Sequence, residues 1–430
     1  MRFVSPRLRL QSAWREKIVP RTFVYLVSIL PFIGGAPAAS TDPLGFYVVK
    51  VAGRPEDGPP ARTHMGIQLL PNIEFAGLAT SVNGNTMSFG QQMGSITDPD
   101  QTLYLHVVNG PGQGFISDIV EFDGENVVCA SALENWLSPG AQAIIRPHPH
   151  LSEIFGADNR FGLGAGPDAT SADNIVIWDA ETQQERVYYF HSERDRWEEQ
   201  EIAADAGKAL IRYPHGLYIV RRSAGNLRVV LRGEIGFQPV LLPVRQGANV
   251  FSLPVNLSAS VSNLITSEGP FSVIKAPNAS RADLLVFEEP FSGAQKGPFY
   301  FRSTPVDSGW REVGVNDSEQ PVQALDMLST LTVRRRGEAG FVLAQGSLEP
   351  SPSGQLPVPP DPEPGELPLI MEFPLRQDIP SEIVFILEKS TDLQNWEPIP
   401  DLGRNATGIA FQVPPGESRF FYRATVTLAP

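Results

Sequence analysis

The stretch Ala172-Asp173-Asn174-Ile175-Val176-Ile177-Trp178, then Val187-Tyr188-Tyr189-Phe190, then Trp197, then Leu217-Tyr218-Ile219-Val220-Arg221-Arg222, decides the fold. The same features return in the same order, shifted by roughly 110 residues. There they read Ala282-Asp283-Leu284-Leu285-Val286-Phe287, Phe299-Tyr300-Phe301, Trp310 and Leu331-Thr332-Val333-Arg334-Arg335. Each apolar run is short, rich in β-branched and aromatic side chains, and bounded by polar turn residues, which is the pattern of strands. Strand, turn, strand, turn, Trp-bearing strand and closing strand predict an antiparallel meander, built twice. In this alignment Trp178 matches Phe287, and Trp197 matches Trp310. An apolar identity kept between two copies is what a shared core produces, so these rings are expected inside.

Moving outward, Leu44-Gly45-Phe46-Tyr47-Val48-Val49 and Val240-Leu241-Leu242-Pro243-Val244 are expected to open the two copies. Ala143-Ile144-Ile145-Arg146-Pro147 is expected to match Phe271-Ser272-Val273-Ile274-Lys275. The strands between Leu103 and Val128 have no counterpart in the second copy. They are punctuated by Asn83-Gly84, Asn109-Gly110 and Asp123-Gly124, each a hairpin signal. The fold class expected is therefore all-β: two tandem, related antiparallel units, sandwich or barrel-like, plus a small C-terminal β-sandwich module. The boundaries expected are 39–235 and 236–349 for the two units, 350–366 for a Pro-rich linker and 367–430 for the module. The linker carries Pro350, Pro352, Pro357, Pro359, Pro360, Pro362 and Pro364, a composition that extends rather than packs.

Composition agrees with this reading. The chain has 430 residues, so a prior of about 150 per domain suggests two or three domains. Gly 38 and Pro 40 suit short strands joined by turns better than long helices. A formal charge of −14 argues against nucleic acid as a partner, because phosphate binding needs clustered Lys and Arg. One cysteine, Cys129, excludes disulfide frameworks, multi-Cys zinc sites and CxxC redox chemistry.

Residues 1–38 read as a secretory signal. Arg2, Arg7, Arg9, Arg15, Lys17 and Arg21 form a basic region, Phe23 to Ile33 an apolar one, and Gly34-Gly35-Ala36-Pro37-Ala38 a small-residue cleavage site ending at Ala38. The apolar part is about half the roughly 20 residues a spanning helix needs, so no transmembrane segment is expected after cleavage. The protein is expected to be secreted, or held at the cell surface or in the periplasm.

Two resemblances follow from particular residues. The opening Thr41-Asp42-Pro43-Leu44-Gly45-Phe46, with Ile154-Phe155-Gly156, Asp173 to Trp178, Tyr188-Tyr189-Phe190 and Trp197, resembles an uncharacterised exported family abundant in verrucomicrobial bacteria. The resemblance spans most of 41–350 and implies export and β-architecture, without catalytic residues. The second copy departs from it by lacking the Phe-Gly corner and the Gly-rich loop. The tail, Leu387 to Trp396 with its Ser390-Thr391-Asp392-Leu393-Gln394-Asn395-Trp396 run and Arg419-Phe420-Phe421-Tyr422-Arg423, is similar to a small β module at the ends of large secreted proteins of the same bacteria. That likeness implies an accessory module in which Trp396 and Phe421 pack together.

Several residues are of types that carry chemistry. His148 and His150 stand two apart, so an extended backbone would aim both imidazoles to one side, as a metal pair requires, with Glu153 or Asp158 as a further ligand. The competing reading is a polar turn. Phe161-Gly162-Leu163-Gly164-Ala165-Gly166-Pro167 imitates a phosphate cradle but is not followed by a helix pattern. Asp168, Asp173 and Asn174 could ligate calcium but lack EF-hand spacing. Glu198, Glu199 and Glu201 suggest paired carboxylates, or simply a solvated face. Among the rings, Trp136, Trp178, Trp197 and Tyr188 are candidates for stacking on sugars. Alternation along Tyr188-Tyr189 leaves one ring for solvent, so Tyr188 and Trp136 are the expected ligand-binding pair. No cofactor is expected.

These observations favour an exported, non-enzymatic protein of the cell envelope or exterior with a structural or adhesive role. Its expected partners are an envelope polysaccharide or other surface proteins. The alternatives are a carbohydrate-binding module and a metal-dependent hydrolase centred on His148 and His150.

Overall fold

The computed structural model describes residues 39–40, 44–93, 101–202, 204–255, 260–266, 269–288, 295–315 and 330–346, and in the tail 369–374, 383–390, 395–399, 403–405, 408–413 and 419–428. The expected signal segment and Pro-rich linker lie outside them. Regular structure is almost entirely antiparallel strand, with two short helices, Leu151–Phe155 and Val261–Leu264, among the described residues. No helix among them is long and apolar enough to cross a membrane.

The duplication is written in the sheets. One five-stranded sheet runs Ala61–Met65, Leu217–Arg221, Asn174–Asp179, Gln184–His191, Arg196–Glu199. The other runs Gly247–Ser252, Thr330–Arg335, Leu284–Glu288, Gln295–Ser303, Ser308–Glu312, in the same order and sense. Opening strands close a second layer in each copy: Leu44–Val51 pairs with Leu227–Ile235, and Val240–Val244 with Gly340–Ala344. Side chains from both layers meet inside. Val49, Val51, Val229 and Leu231 face Ile175, Ile219 and Trp197 in the first copy, while Val240, Leu242 and Val342 face Leu285, Val333 and Phe287 in the second. Alternating apolar residues on two facing sheets make a sandwich core in each copy.

Register corrects two expected matches. Ile177 lies opposite Leu217 and Phe287 opposite Leu331, so Phe287 is the counterpart of Ile177, and Trp178 that of Glu288. Trp178 sits at the strand end instead, where its Nε1–H donates to Ala248 O at 2.8 Å. Phe271–Lys275 does not correspond to Ala143–Pro147. Ile274 N–H donates to Asp283 at 2.8 Å as Gly164 N–H donates to Asp173 at 2.7 Å, so the true counterpart is the Gly-rich loop. Local apolar composition matched the wrong pair, because Gln142–Pro147 belongs to a different sheet.

That sheet is inserted in the first copy and has seven strands, in the order Phe75–Leu78, Gln142–Pro147, Leu103–Asn109, Ile116–Asp123, Asn126–Cys129, Thr86–Ser88, Ser81–Asn83. Gly84 and Gly124 close its tight hairpins at φ of 59° and 56°, the left-handed conformation the Asn-Gly and Asp-Gly pairs announce. Its apolar face, with Leu105, Val107, Phe115, Ile145 and Val127, packs on Leu241, Phe341 and Leu343 of the second copy.

The tail is less separate than its linker suggests. Arg419–Leu428 pairs with Ile383–Ser390 on one side and, through Arg419 to Tyr422, with Leu44 to Tyr47 on the other. Trp396 packs against the first copy's core. Without the tail, the edge of Leu44–Val51 would expose unpaired backbone N–H and C=O groups, and the tail strand pairs with its first half, Leu44 to Tyr47. A second tail sheet combines Leu369–Pro374, Gly408–Val413 and Gly403–Asn405. The expected contact between Trp396 and Phe421 involves a side chain outside the described residues.

Candidate functional site

The two histidines expected as a metal pair take different partners. After Pro147 the chain leaves the strand and turns at Pro149 into the helix Leu151–Phe155, which ends the alternation that would have aligned the rings. His150 becomes the helix N-cap: its backbone N–H donates to Glu153 Oε2 at 2.8 Å, and its Nδ1 lies 3.4 Å from Glu153 Oε1. His148 is 1% exposed and uses both ring nitrogens. Its Nδ1 accepts the Tyr213 backbone N–H at 3.1 Å, which makes Nε2 the protonated nitrogen, and Nε2–H donates to Asp118 Oδ1 at 3.0 Å. No ring nitrogen of His148 is left for a metal. Among the described residues no group of three or more His, Cys, Asp or Glu is arranged to hold one.

The expected ligand-binding rings also have internal work. Tyr188 is fully buried in the first core, and Tyr189 is buried as well, so the alternation does not put either ring in solvent. The reason is that both faces of this strand are covered: Tyr188 and Phe190 face the sandwich core, while Tyr189 packs on Ala169 and Ala172 of the adjoining loop. Trp136 is half-buried, its ring 5.1 Å from Phe341 and 5.4 Å from Phe271, where it joins the inserted sheet to the second copy. Trp197 is 1% exposed and donates Nε1–H to Gly156 O at 2.7 Å, and Trp310 is buried in the matching place.

The acidic candidates are occupied in the same way. Asp173 accepts from Gly164 N–H, from Arg222 N–H at 2.6 Å and from Arg221 Nη1 at 3.2 Å. Asp283 repeats this with Ile274 N–H, Arg336 N–H at 2.9 Å and Arg335 Nη1 at 2.7 Å. Asp168 instead accepts from Thr170 and Ser171 within its own turn. Glu198 is held by Arg194 at 2.9 Å and Arg196 at 2.7 Å, and Glu199 by Arg186 at 2.9 Å.

One polar constellation was missed by sequence reasoning. The second face of the inserted sheet carries Tyr104 directly opposite both Arg146 and Asp118, with His106 two residues along one strand and His148 two beyond Arg146. It is roofed by Leu210 to Gly216, by Glu234 and by Pro239. Tyr104 stacks on His148 at 4.6 Å and on Tyr213 at 5.7 Å. Arg146 donates to Glu234 at 2.5 Å and to Pro71 O, and the Arg146 and Glu234 side chains are both almost wholly buried. His106 Nε2–H donates to Pro239 O at 2.9 Å. Arg212 Nε donates to Asp118 Oδ2 at 3.1 Å, and the His215 ring lies 5.9 Å from Phe251 of the second copy. The signal available was the period-two placement of Tyr104, His106 and Arg146, His148 on one face of adjacent strands.

Burial sets the protonation states here. It pushes His106 down to about 4, with the Arg146 charge helping against the Pro239 bond. Burial likewise lowers His215 to about 4, aided by His148 and Arg212. His148 is held below its ordinary value by burial, against the pull of Asp118. Burial works against the Asp118 charge, but His148 and Arg212 outweigh it and keep its carboxyl below the usual range. The imidazoles are therefore neutral at pH 7. An Asp–His pair of this kind can activate a nucleophile, but here the nitrogen that would take the proton is closed by the Tyr213 amide. The arrangement ties layers together. No protein-family model, no curated protein and no solved structure matches the chain.

Proposed function

We propose that this is an exported, non-enzymatic β-protein of the cell envelope or exterior with a structural or adhesive role. The observation that supports this most is the use made of reactive side chains. Asp173, Asp283, Glu198 and His148 each hold strands or loops of the fold through hydrogen bonds on more than one atom. The aromatic residues Tyr188, Trp197 and Trp310 fill interiors instead of a sugar-facing surface. Cys129 fits an oxidising exterior: it is fully buried, and burial pushes its thiol up to about 12, which keeps the reactive thiolate scarce.

The test is a glycan array run on the purified mature protein together with metal analysis, alongside fractionation of producing cells. Recovery outside the cytoplasm, with neither saturable glycan binding nor stoichiometric metal, is the expected result. Reproducible sugar binding, or one zinc per chain, would replace this reading with a carbohydrate-binding or a metal-dependent one.

A further inference from the structure

We propose that the segment Leu210 to Gly216 is an acid-released strap, freed from the inserted sheet and from the second copy when the imidazoles beneath and within it become charged. The segment joins Arg196–Glu199 to Leu217–Arg221 and touches both neighbouring bodies. Towards the inserted sheet, Ile211 N–H donates to Pro149 O at 2.9 Å, Tyr213 N–H to His148 Nδ1, and Arg212 to Asp118. Towards the second copy, Gly216 N–H donates to Val250 O at 3.0 Å and Ser252 N–H to Pro214 O at 2.7 Å. The His215 ring leans on Phe251, and Ser252 Oγ–H donates to His215 O at 3.0 Å.

A proton acts on this geometry directly. His148 can gain one only at Nδ1, which turns the acceptor of the Tyr213 bond into a second donor facing the same N–H, so that bond must break. His106 Nδ1 has no partner among the described residues, and a proton there would sit buried beside Arg146. His215 would become a cation beside Arg212.

The charges facing these rings leave little to answer new cations. From the inserted sheet come Asp118 and Arg146, with the Tyr104 hydroxyl, and from the adjoining helix start comes His150 with its partner Glu153. From the strap come Arg212 and Tyr213, and from the first copy Glu234 and Asp179. From the second copy come the Pro239 carbonyl and the uncharged Phe251. Asp118 already pairs with Arg212, and Glu234 with Arg146. Asp179 is the remaining carboxylate and bears on His215. Elsewhere the inserted sheet is held by its apolar face on Leu241, Phe341 and Leu343, a contact that does not titrate, so release is confined to the strap.

Hydrogen exchange on the full mature chain, corrected for intrinsic rates, reads this out between pH 7 and pH 4. Amides of 211–213, 215 and 216 are expected to exchange at least about tenfold faster at the acid end, the factor that one unit of pKa displacement carries. Amides of Asn174–Asp179 and Leu284–Glu288, which open only with the whole fold, are expected to stay better protected than the strap at every pH. The His148→Asn variant keeps an acceptor near the Nδ1 position but cannot titrate, and its strap is expected to stay protected to lower pH. Unchanged strap exchange, loss of all three segments in one step, or release in His148→Asn at the wild-type pH would each overturn the proposal. Should that variant not fold, NMR titration of the wild-type His148 ring decides. Titration in step with strap exchange supports the strap, and titration apart from it overturns it.

Discussion

Asp173 and Asp283 show how a single side chain can hold a loop, a strand end and a turn at once. Each carboxylate is buried, neutralised by an arginine from the neighbouring strand and bonded to backbone N–H groups from two directions. Removing one partner of a buried pair leaves the other charged and unsolvated, at a cost of about 3–5 kcal/mol. Asp173→Ala and Asp283→Ala are therefore each expected to lower the free energy of unfolding by an amount in that range, measured by urea titration followed by far-UV circular dichroism. A loss under about 1 kcal/mol, the usual size for an exposed pair, would contradict the assignment. The tryptophans divide in the same experiment. Trp197→Ala empties a fully buried site and should cost about 3–5 kcal/mol, whereas half-buried Trp136 should cost less and should loosen the contact with Phe271 and Phe341.

Among the elements, Arg419–Leu428 has the largest consequence for assembly. It lies between Ile383–Ser390 and Leu44–Val51, so it covers the first half of an edge, Leu44 to Tyr47, that the first copy would otherwise present bare. An uncovered edge strand recruits other chains. A chain ended after Gly346 is expected to self-associate at concentrations where the full chain does not, as read by light scattering, with faster amide exchange in Leu44 to Tyr47. Equal scattering and equal exchange would show that the tail strand does not protect this edge. The edge strand of the second copy, Val240–Val244, has its own cover, because Leu241 N–H donates to Gly114 O of the inserted sheet at 2.7 Å.

For the whole molecule, the buried histidines give stability a pH dependence of definite sign. His106 and His215 titrate near 4 in the folded chain and near 6.5 when unfolded, so between these values the unfolded chain binds more protons. Their contribution is complete above pH 6.5 and is lost as pH falls towards 4, by about 3 kcal/mol for each ring. Asp118, with its lowered carboxyl, adds a further loss at still lower pH. The urea midpoint is expected to fall steadily from pH 7 to pH 4.5, and the double variant His106→Gln with His215→Gln should reduce that slope, leaving the part due to His64 and His148. A midpoint independent of pH in the wild type would contradict the burial of these rings.

Local sequence determined that this chain is built from strands, that one β unit is made twice, where the tight hairpins turn, and that the shared tryptophans are interior. Those properties follow from short-range patterns: apolar runs of strand length, Asn-Gly and Asp-Gly pairs, and rings repeated in order. Tertiary structure alone decided that Phe287 answers Ile177 and not Trp178, that Tyr188 and Tyr189 are both covered, and that the tail strand completes the first copy's sheet. It also drew buried His106 and His148 together with half-buried Asp118 and His215 into one cluster, although they come from separate stretches of chain. Backbone pairing across long sequence separations sets which faces are covered and which charges meet, and no window of neighbouring residues carries that information.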